Sequence, residues 1–288
     1  MRNLLKADFY RAKRDKLLLI GLIVAVGLVI FQALIIKGFT MMANSDAESD
    51  AVISIAGASG LALWFNGISV LGNTSLYIVP IFLTIFFVKE FSDRTIRNKL
   101  IIGYSRTQIF FSIIIVHAVL SLIFYLATSG IGLLFGGVLF GFGTAFNAGS
   151  FGILVVGFLL EFLLSYILIG FSIIFAINKQ SLVLGIIIPI VCGFVLSILQ
   201  VIMMFAGETL MKVLSFSFFY QAQEIQNMID IAQLGQVAEI YTTTEMGIQV
   251  LDYTLPLTPI ARFLLVTPVV IIVELVVGFL RFKKIQFK

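Results

Sequence analysis

The sequence predicts an all-α integral membrane protein with six transmembrane helices. Of its 288 residues, 60% are hydrophobic and 12% are charged, and the mean hydropathy is +1.12. Soluble domains have about 25% charged residues, so this composition lies far outside their range. The apolar residues form runs that can cross a hydrocarbon core of roughly 30 Å, and the charges cluster between those runs. We therefore predict one transmembrane domain over residues 1–288.

The chain opens with a basic segment that leads into the first span. Residues 1–16 contain six Lys or Arg side chains, and Leu5, Phe9 and Ala12 share one helical face, which is typical of an interfacial helix. Twenty uncharged residues follow at 17–36, enough to cross the membrane. This run is too long for a signal peptide and no cleavage site closes it, so we expect a retained span.

The next apolar run, residues 51–71, is predicted not to cross the membrane. If it crossed, the bases from Arg94 to Lys99 would lie outside, against the positive-inside bias. Its glycines suit irregular backbone, so the segment is either interfacial or re-entrant. The sequence leaves these two alternatives open.

Five further spans are predicted, and the distribution of bases orients them. They cover residues 72–88, 107–134, 150–177, 181–206 and 261–280, and an acidic outer segment occupies 207–260. Six bases precede the first span, five lie between 89 and 106, one is Lys179 and four follow the sixth span, so 16 of the 19 bases face one side. That asymmetry predicts that both termini lie in the cytoplasm.

The most charged segment between apolar runs is predicted to be a surface helix at residues 89–104. Glu90 precedes Arg94, and Asp93 precedes Arg97, each at the i,i+4 spacing that stabilises a helix. Another face carries Ile96, Leu100 and Tyr104, so the helix is amphipathic. Gly103 can end it in a left-handed conformation, and Ser105 with Gln108 forms the capping box that opens the next helix.

This segment resembles the cytoplasmic segment between the second and third spans of type 2 ATP-binding-cassette (ABC) exporter permeases of bacteria. The matching positions are Glu90, Thr95, Ser105 and Arg106. The chain departs from the family pattern at three places, because Arg94 replaces the usual Gly, Gly103 the usual Pro and Ser112 a frequent Lys. The resemblance covers about twenty residues closely and the rest of the chain by topology.

The resemblance implies a permease of the bacterial cytoplasmic membrane that forms a homodimer or heterodimer within the lipid bilayer. Two separate ATPase chains would hold ATP and Mg, and this chain would bind no cofactor and no nucleic acid. The residues expected to contact the ATPase are Glu90, Phe91, Arg94, Thr95, Ile96, Arg97 and Leu100. The acidic outer segment favours a cationic amphiphile, such as an antimicrobial peptide, as the exported substrate.

Three ionisable residues inside predicted spans are candidates for a functional role, namely His117, Glu161 and Glu274. His117 is the only histidine, which excludes a metal site of several histidines, and a buried hydrogen-bonded ring is its structural interpretation. A carboxylate inside a span is costly, so each acid must be protonated, paired or facing water. Structural pairing and a place on the translocation path both remain open for the two acids.

The residues alone leave two alternatives to a transporter, namely an intramembrane enzyme and a non-transporting scaffold. Gly57 to Gly60 has the G-x-S-G form of intramembrane serine proteases, but Ser59 and His117 are predicted near opposite membrane surfaces, about 20 Å apart. The sequence contains neither a Walker motif nor H-E-x-x-H. We therefore expect a transporter subunit without catalytic or metal-ligating residues.

Overall fold

A computed structural model of the protein describes residues 1–45, 74–142 and 259–284, together with positions scattered between 155 and 198. Every element with defined bounds in these residues is an α-helix, which confirms the predicted helical class for this part of the chain. The helices are α1 (Arg2–Arg14), α2 (Lys16–Ser45), α3 (Thr74–Ser92), α4 (Thr95–Ile101), α5 (Arg106–Phe140) and α6 (Pro259–Lys284).

Three of the described helices are long and apolar enough to span a membrane. These segments are Lys16–Gly38, Arg106–Phe140 and Leu265–Lys284, and they coincide with the predicted first, third and sixth spans. The predicted third span ended at residue 134 because glycines follow, whereas α5 continues to Phe140. Glycine is common in membrane helices, where packing rather than intrinsic propensity keeps the helix intact.

The total of six spans remains a prediction. The predicted second span corresponds to α3, and the described positions between 155 and 198, which fall in the predicted fourth and fifth spans, are all helical. Residues 51–71, most of the outer segment 207–260 and Glu161 lie outside the described residues.

Helix α2 packs against α3 and α5 through one face of small and branched side chains. Leu18, Ala25 and Ala33 are buried on that face, while Ile23 and Phe31 on the other face are exposed, as suits contact with lipid. Gly21 lies directly against the ring of Phe82, and a Cβ built on Gly21 would lie only 2.5 Å from Phe82 Cγ. The absence of a side chain therefore sets the distance between α2 and α3.

The basic amino-terminal helix is present as α1, but its apolar face is covered by protein. Leu4 and Ala12 are buried, and Leu5 and Phe9 pack against the same core. Asp8 lies on this buried face as well. The apolar face of α1 therefore packs on protein, while the interfacial position predicted for residues 1–16 stays a prediction.

The single surface helix predicted at residues 89–104 is wrong, because the chain breaks at Arg94. Helix α3 continues to Ser92, and Arg94 adopts a left-handed backbone with φ of 56° before α4 begins at Thr95. Left-handed backbone favours glycine, so arginine is an unusual residue at this position. The predicted end is confirmed, since Gly103 has φ of 103° and the capping box of Ser105 and Gln108 is formed.

We expect Gly21→Leu to destabilise the protein by about 1 to 3 kcal/mol, because the new side chain must push α3 away from α2. Gly27→Leu is the matched control, since the same helix offers open space at Gly27. Thermal unfolding of the two purified variants in detergent measures the difference. Equal stability of the two variants would contradict the close contact between α2 and α3.

Candidate functional site

Two acids and two bases meet in the interior where α1, α3, α4 and α5 converge. We call Asp8, Arg11, Glu90 and Lys99 the junction cluster. Lys99 Nζ lies 2.7 Å from Asp8 Oδ1 and 2.9 Å from Glu90 Oε2, and Arg11 Nη2 lies 2.6 Å from Glu90 Oε1. The exposed fractions of Asp8, Glu90 and Lys99 are 3%, 2% and 7%. Such burial is tolerated only because each charge has a partner of opposite sign.

Helix α5 joins the junction cluster through a neutral hydrogen bond. Ser112 Oγ donates to Asp8 Oδ2 over 2.7 Å. The cluster already has two cations for its two carboxylates, so a hydroxyl satisfies Asp8 without adding charge.

Arg11 is held by an aromatic ring as well as by Glu90. Its guanidinium carbon lies 4.4 Å from the centre of the Phe86 ring on α3, within the range of a cation–π contact. Arg11 Nε and Nη1 are buried without hydrogen-bond partners among the described residues. The ring therefore provides the favourable contact for that side of the guanidinium.

A second ion pair fixes the turn between α1 and α2. Asp15 Oδ1 accepts a hydrogen bond from the Leu17 backbone N–H at 2.8 Å, which caps the first turn of α2. The same atom lies 3.7 Å from Lys89 Nζ on α3. Helix α1 is thus tied to α3 near both the junction cluster and the start of the first span.

The residues that were expected to contact an ATPase fall into a buried or half-buried group and an exposed group. Glu90 and Ile96 are buried, and Phe91 and Leu100 are half-buried against the core, so these side chains organise the segment from within. Glu90 was expected to pair with Arg94 on a surface helix. It faces Arg11 and Lys99 instead, because the helix ends between Glu90 and Arg94.

The outer face of α4 combines bases with an apolar tip. Arg94 and Arg97 are exposed, and Thr95 is half-buried. Ile101 and Ile102, at the carboxyl end of α4, are each 73% exposed. We call Arg94, Arg97, Ile101 and Ile102 the α4 surface.

His117 is a buried, hydrogen-bonded side chain on α5, in agreement with its structural interpretation. Its Nδ1 lies 2.8 Å from the Ile113 carbonyl oxygen, and its Nε2 lies 3.1 Å from the Leu83 carbonyl oxygen of α3. The rings of Phe86 and Phe87 pack against it. His117 therefore joins α3 to α5 near the junction cluster.

Glu274 on α6 is also buried, with 6% of its surface exposed, but it has a different environment. It faces protein, as expected for an acid at this depth. Its Oε1 atom has no hydrogen-bond partner among the described residues.

The described residues form a helical membrane protein in which buried ion pairs between side chains hold a short helix, α4, against its neighbours. Residues 4–200 match the ABC-2 family transporter protein family, and this match covers α1 through α5. The chain belongs to that family and is a membrane subunit of an ABC transporter rather than an enzyme. No curated protein matches the sequence.

We expect Lys99→Met to lower the free energy of unfolding by about 3 to 5 kcal/mol, because Asp8 and Glu90 lose the cation that they share. The double variant Asp8→Asn/Lys99→Met keeps the Glu90–Arg11 pair and restores electrical neutrality. It should therefore be more stable than Lys99→Met alone. Thermal unfolding in detergent measures both variants.

Arg97→Met is the matched control, because Arg97 lies on the exposed face of the same helix. Its effect should stay within about 0.5 kcal/mol, as for most surface substitutions. The junction cluster would lose its assigned role if Lys99→Met were as mild as Arg97→Met, or if the double variant were less stable than the single one.

Proposed function

We propose that this chain forms half of the translocation path of an ABC exporter and that α4 transmits movement to it from a separate ATPase. The observation that supports this proposal is the anchoring of α4 to three other helices through Lys99 and its partners. The path would be completed by a second permease copy or a homologous permease, because six predicted spans are too few to enclose it.

Helix α4 needs this anchoring because it is very short. Seven residues form about two turns, and isolated helices of fewer than about 12 residues are marginal in water. Lys99 and Ile96, one turn apart, face the interior, so one side of α4 is fixed to protein. A displacement of α4 must therefore move α1, α3 and α5 with it, or else expose buried charges.

The opposite side of α4 has the composition of a docking surface. Ile101 and Ile102 supply exposed apolar side chains that could fill a pocket on a partner, and Arg94 and Arg97 surround them with positive charge. Charges at such a rim contribute to register and to the rate of association. An acidic groove with an apolar floor on the ATPase is the partner surface that fits.

In this arrangement the chain itself binds no nucleotide. ATP and Mg belong to two ATPase subunits on the cytoplasmic side of a bacterial cell membrane, and both termini of the permease face that side. The movement of α4 would reach the first and third spans directly, since α2 follows α1 and α5 follows α4 in the chain.

For the substrate we propose a cationic amphiphile such as an antimicrobial peptide. The support comes from the sequence of the segment between the predicted fifth and sixth spans, where residues 207–259 contain six acids and one lysine. Such a segment on the outer side would attract positively charged molecules at the membrane surface.

The α4 surface can be tested by co-purification with an ABC ATPase that is co-expressed with this chain. Ile101→Ser should weaken the complex by roughly five- to thirtyfold, since apolar anchors at interfaces contribute about 1 to 2 kcal/mol. Arg97→Ala should mainly slow association, and the effect should shrink at high salt.

Two exposed residues away from α4 serve as matched controls. Ile123→Ser removes an apolar side chain from the middle of α5, and Lys6→Ala removes a base from α1. Both variants should retain the ATPase at the wild-type level. Full retention of the ATPase by Ile101→Ser would argue against docking through α4.

A further inference from the structure

A small cavity lies between α5, α6 and the helical positions from 166 to 174. Its walls are almost wholly apolar and include Phe110, Ile114 and Ile271. It has room for about one water molecule. Among the residues that line the cavity, Glu274 and Tyr166 have polar side chains.

Glu274 reaches this cavity through an unusually close approach of two helices. Its Oε2 lies against Gly170, and any side chain at Gly170 would collide with the carboxyl group. On the next turn of α6, a Cβ built on Gly278 would make ordinary contact with Phe110 and Ile174, so a small side chain would fit there. Glycine at position 170 is therefore the residue that lets α6 pack closely against the 166–174 positions.

None of the described residues that line the cavity offers a counter-charge to Glu274. Tyr166 donates its hydroxyl hydrogen to the Ile114 carbonyl oxygen over 3.4 Å, and α5 presents Phe110 and Ile114. The bases on the two long helices lie outside the lining. Arg106 donates to the Lys283 carbonyl oxygen, and Arg281 is about 10 Å along α6 from Glu274 at roughly 1.5 Å per residue.

We propose that Glu274 is an exchangeable proton site whose proton keeps α6 packed against the helix around Tyr166 and Ile174. In the packed state the side chain is a neutral carboxylic acid. When the contact opens, the acid gives its proton to water, leaving a hydrated carboxylate and a hydronium ion.

The physical basis is the cost of an unpaired carboxylate in an apolar cavity. A charge inside a span is costly even on the lenient insertion scale, whereas the neutral acid costs far less. A single water cannot hydrate a carboxylate fully, so ionisation requires the cavity to widen. Raising the pH therefore favours the open arrangement and lowering the pH favours the packed one.

The size of the cavity selects a proton over a larger cation. An ammonium group on a carbon chain needs more space than one water molecule occupies, and the close contact at Gly170 leaves none beside the carboxyl group. This inference goes beyond the proposed function, because it concerns a contact within the permease and requires no ATPase.

The first test is infrared spectroscopy of the full-length protein in lipid nanodiscs. Wild-type protein should show the C=O stretching band of a buried protonated carboxyl group, and Glu274→Gln should lose it. Glu161→Gln removes the other acid of the predicted spans and should retain the band. Absence of a band that depends on Glu274 would overturn the proposal.

The second test follows the contact itself with cysteines at positions 174 and 278. Ile174→Cys/Gly278→Cys, in a chain whose native Cys192 is replaced by Ser, should be joined by a short bifunctional thiol reagent. We expect cross-linking to fall as the pH rises while the infrared band disappears.

The same cysteine pair combined with Glu274→Gln is the matched control, because Gln cannot ionise. It also corrects for the pH dependence of the thiol reaction. In this variant the cross-linking yield should not fall as the pH rises. An identical pH response in the two backgrounds would refute the proton-dependent contact.

Discussion

The shared ammonium group of Lys99 is the interaction on which the junction of α1, α3, α4 and α5 depends. It lies between Asp8 of α1 and Glu90 of α3, and Arg11 balances the remaining negative charge. Loss of any one of the four charges would leave the cluster with an unbalanced buried charge, at a cost of several kcal/mol. The cluster therefore holds its helices in one arrangement.

That constraint changes the role of the amino-terminal helix. A basic amphipathic helix before a first span is ordinarily an anchor in the membrane interface. Here its apolar face packs on the protein and supplies Asp8 and Arg11 to the junction cluster, while Lys6 and Lys13 remain exposed. The family match begins at residue 4 and so includes this helix.

Local chemistry allowed part of this structure to be predicted from the sequence. The capping box at Ser105 and the left-handed Gly103 depend on residues within a few positions of one another, and both are present. The apolar runs located three helices that can span a membrane, because length and composition suffice for that inference.

The junction cluster could not be predicted because its partners are distant in the sequence. Arg11 and Glu90 are separated by 79 positions, and both were assigned to surfaces by their charge. One local signal did exist, since Asp8 shares a helical face with Leu4 and Ala12, where a charge requires a buried partner. The break at Arg94 had no such signal, because arginine does not favour a left-handed backbone.

The environment of Glu274 could not be predicted either, because it too depends on residues that are distant in the sequence. An acid within an apolar run indicates that its charge must be neutralised, paired or hydrated. Which of these applies depends on the neighbours that packing brings, namely Gly170, Tyr166 and Phe110.

The most direct test of the junction is a distance within one permease chain during the ATPase cycle. Spin labels at positions 7 and 98 would lie on the exposed faces of α1 and α4. Doubly labelled chains, diluted with unlabelled permease and assembled with the ATPase, can be measured by pulsed electron paramagnetic resonance. If the junction is rigid, the distance distribution is the same with and without ATP, although the complex changes shape. A shift of that distance on ATP binding would show that α4 moves independently of α1 and would contradict transmission through the junction cluster.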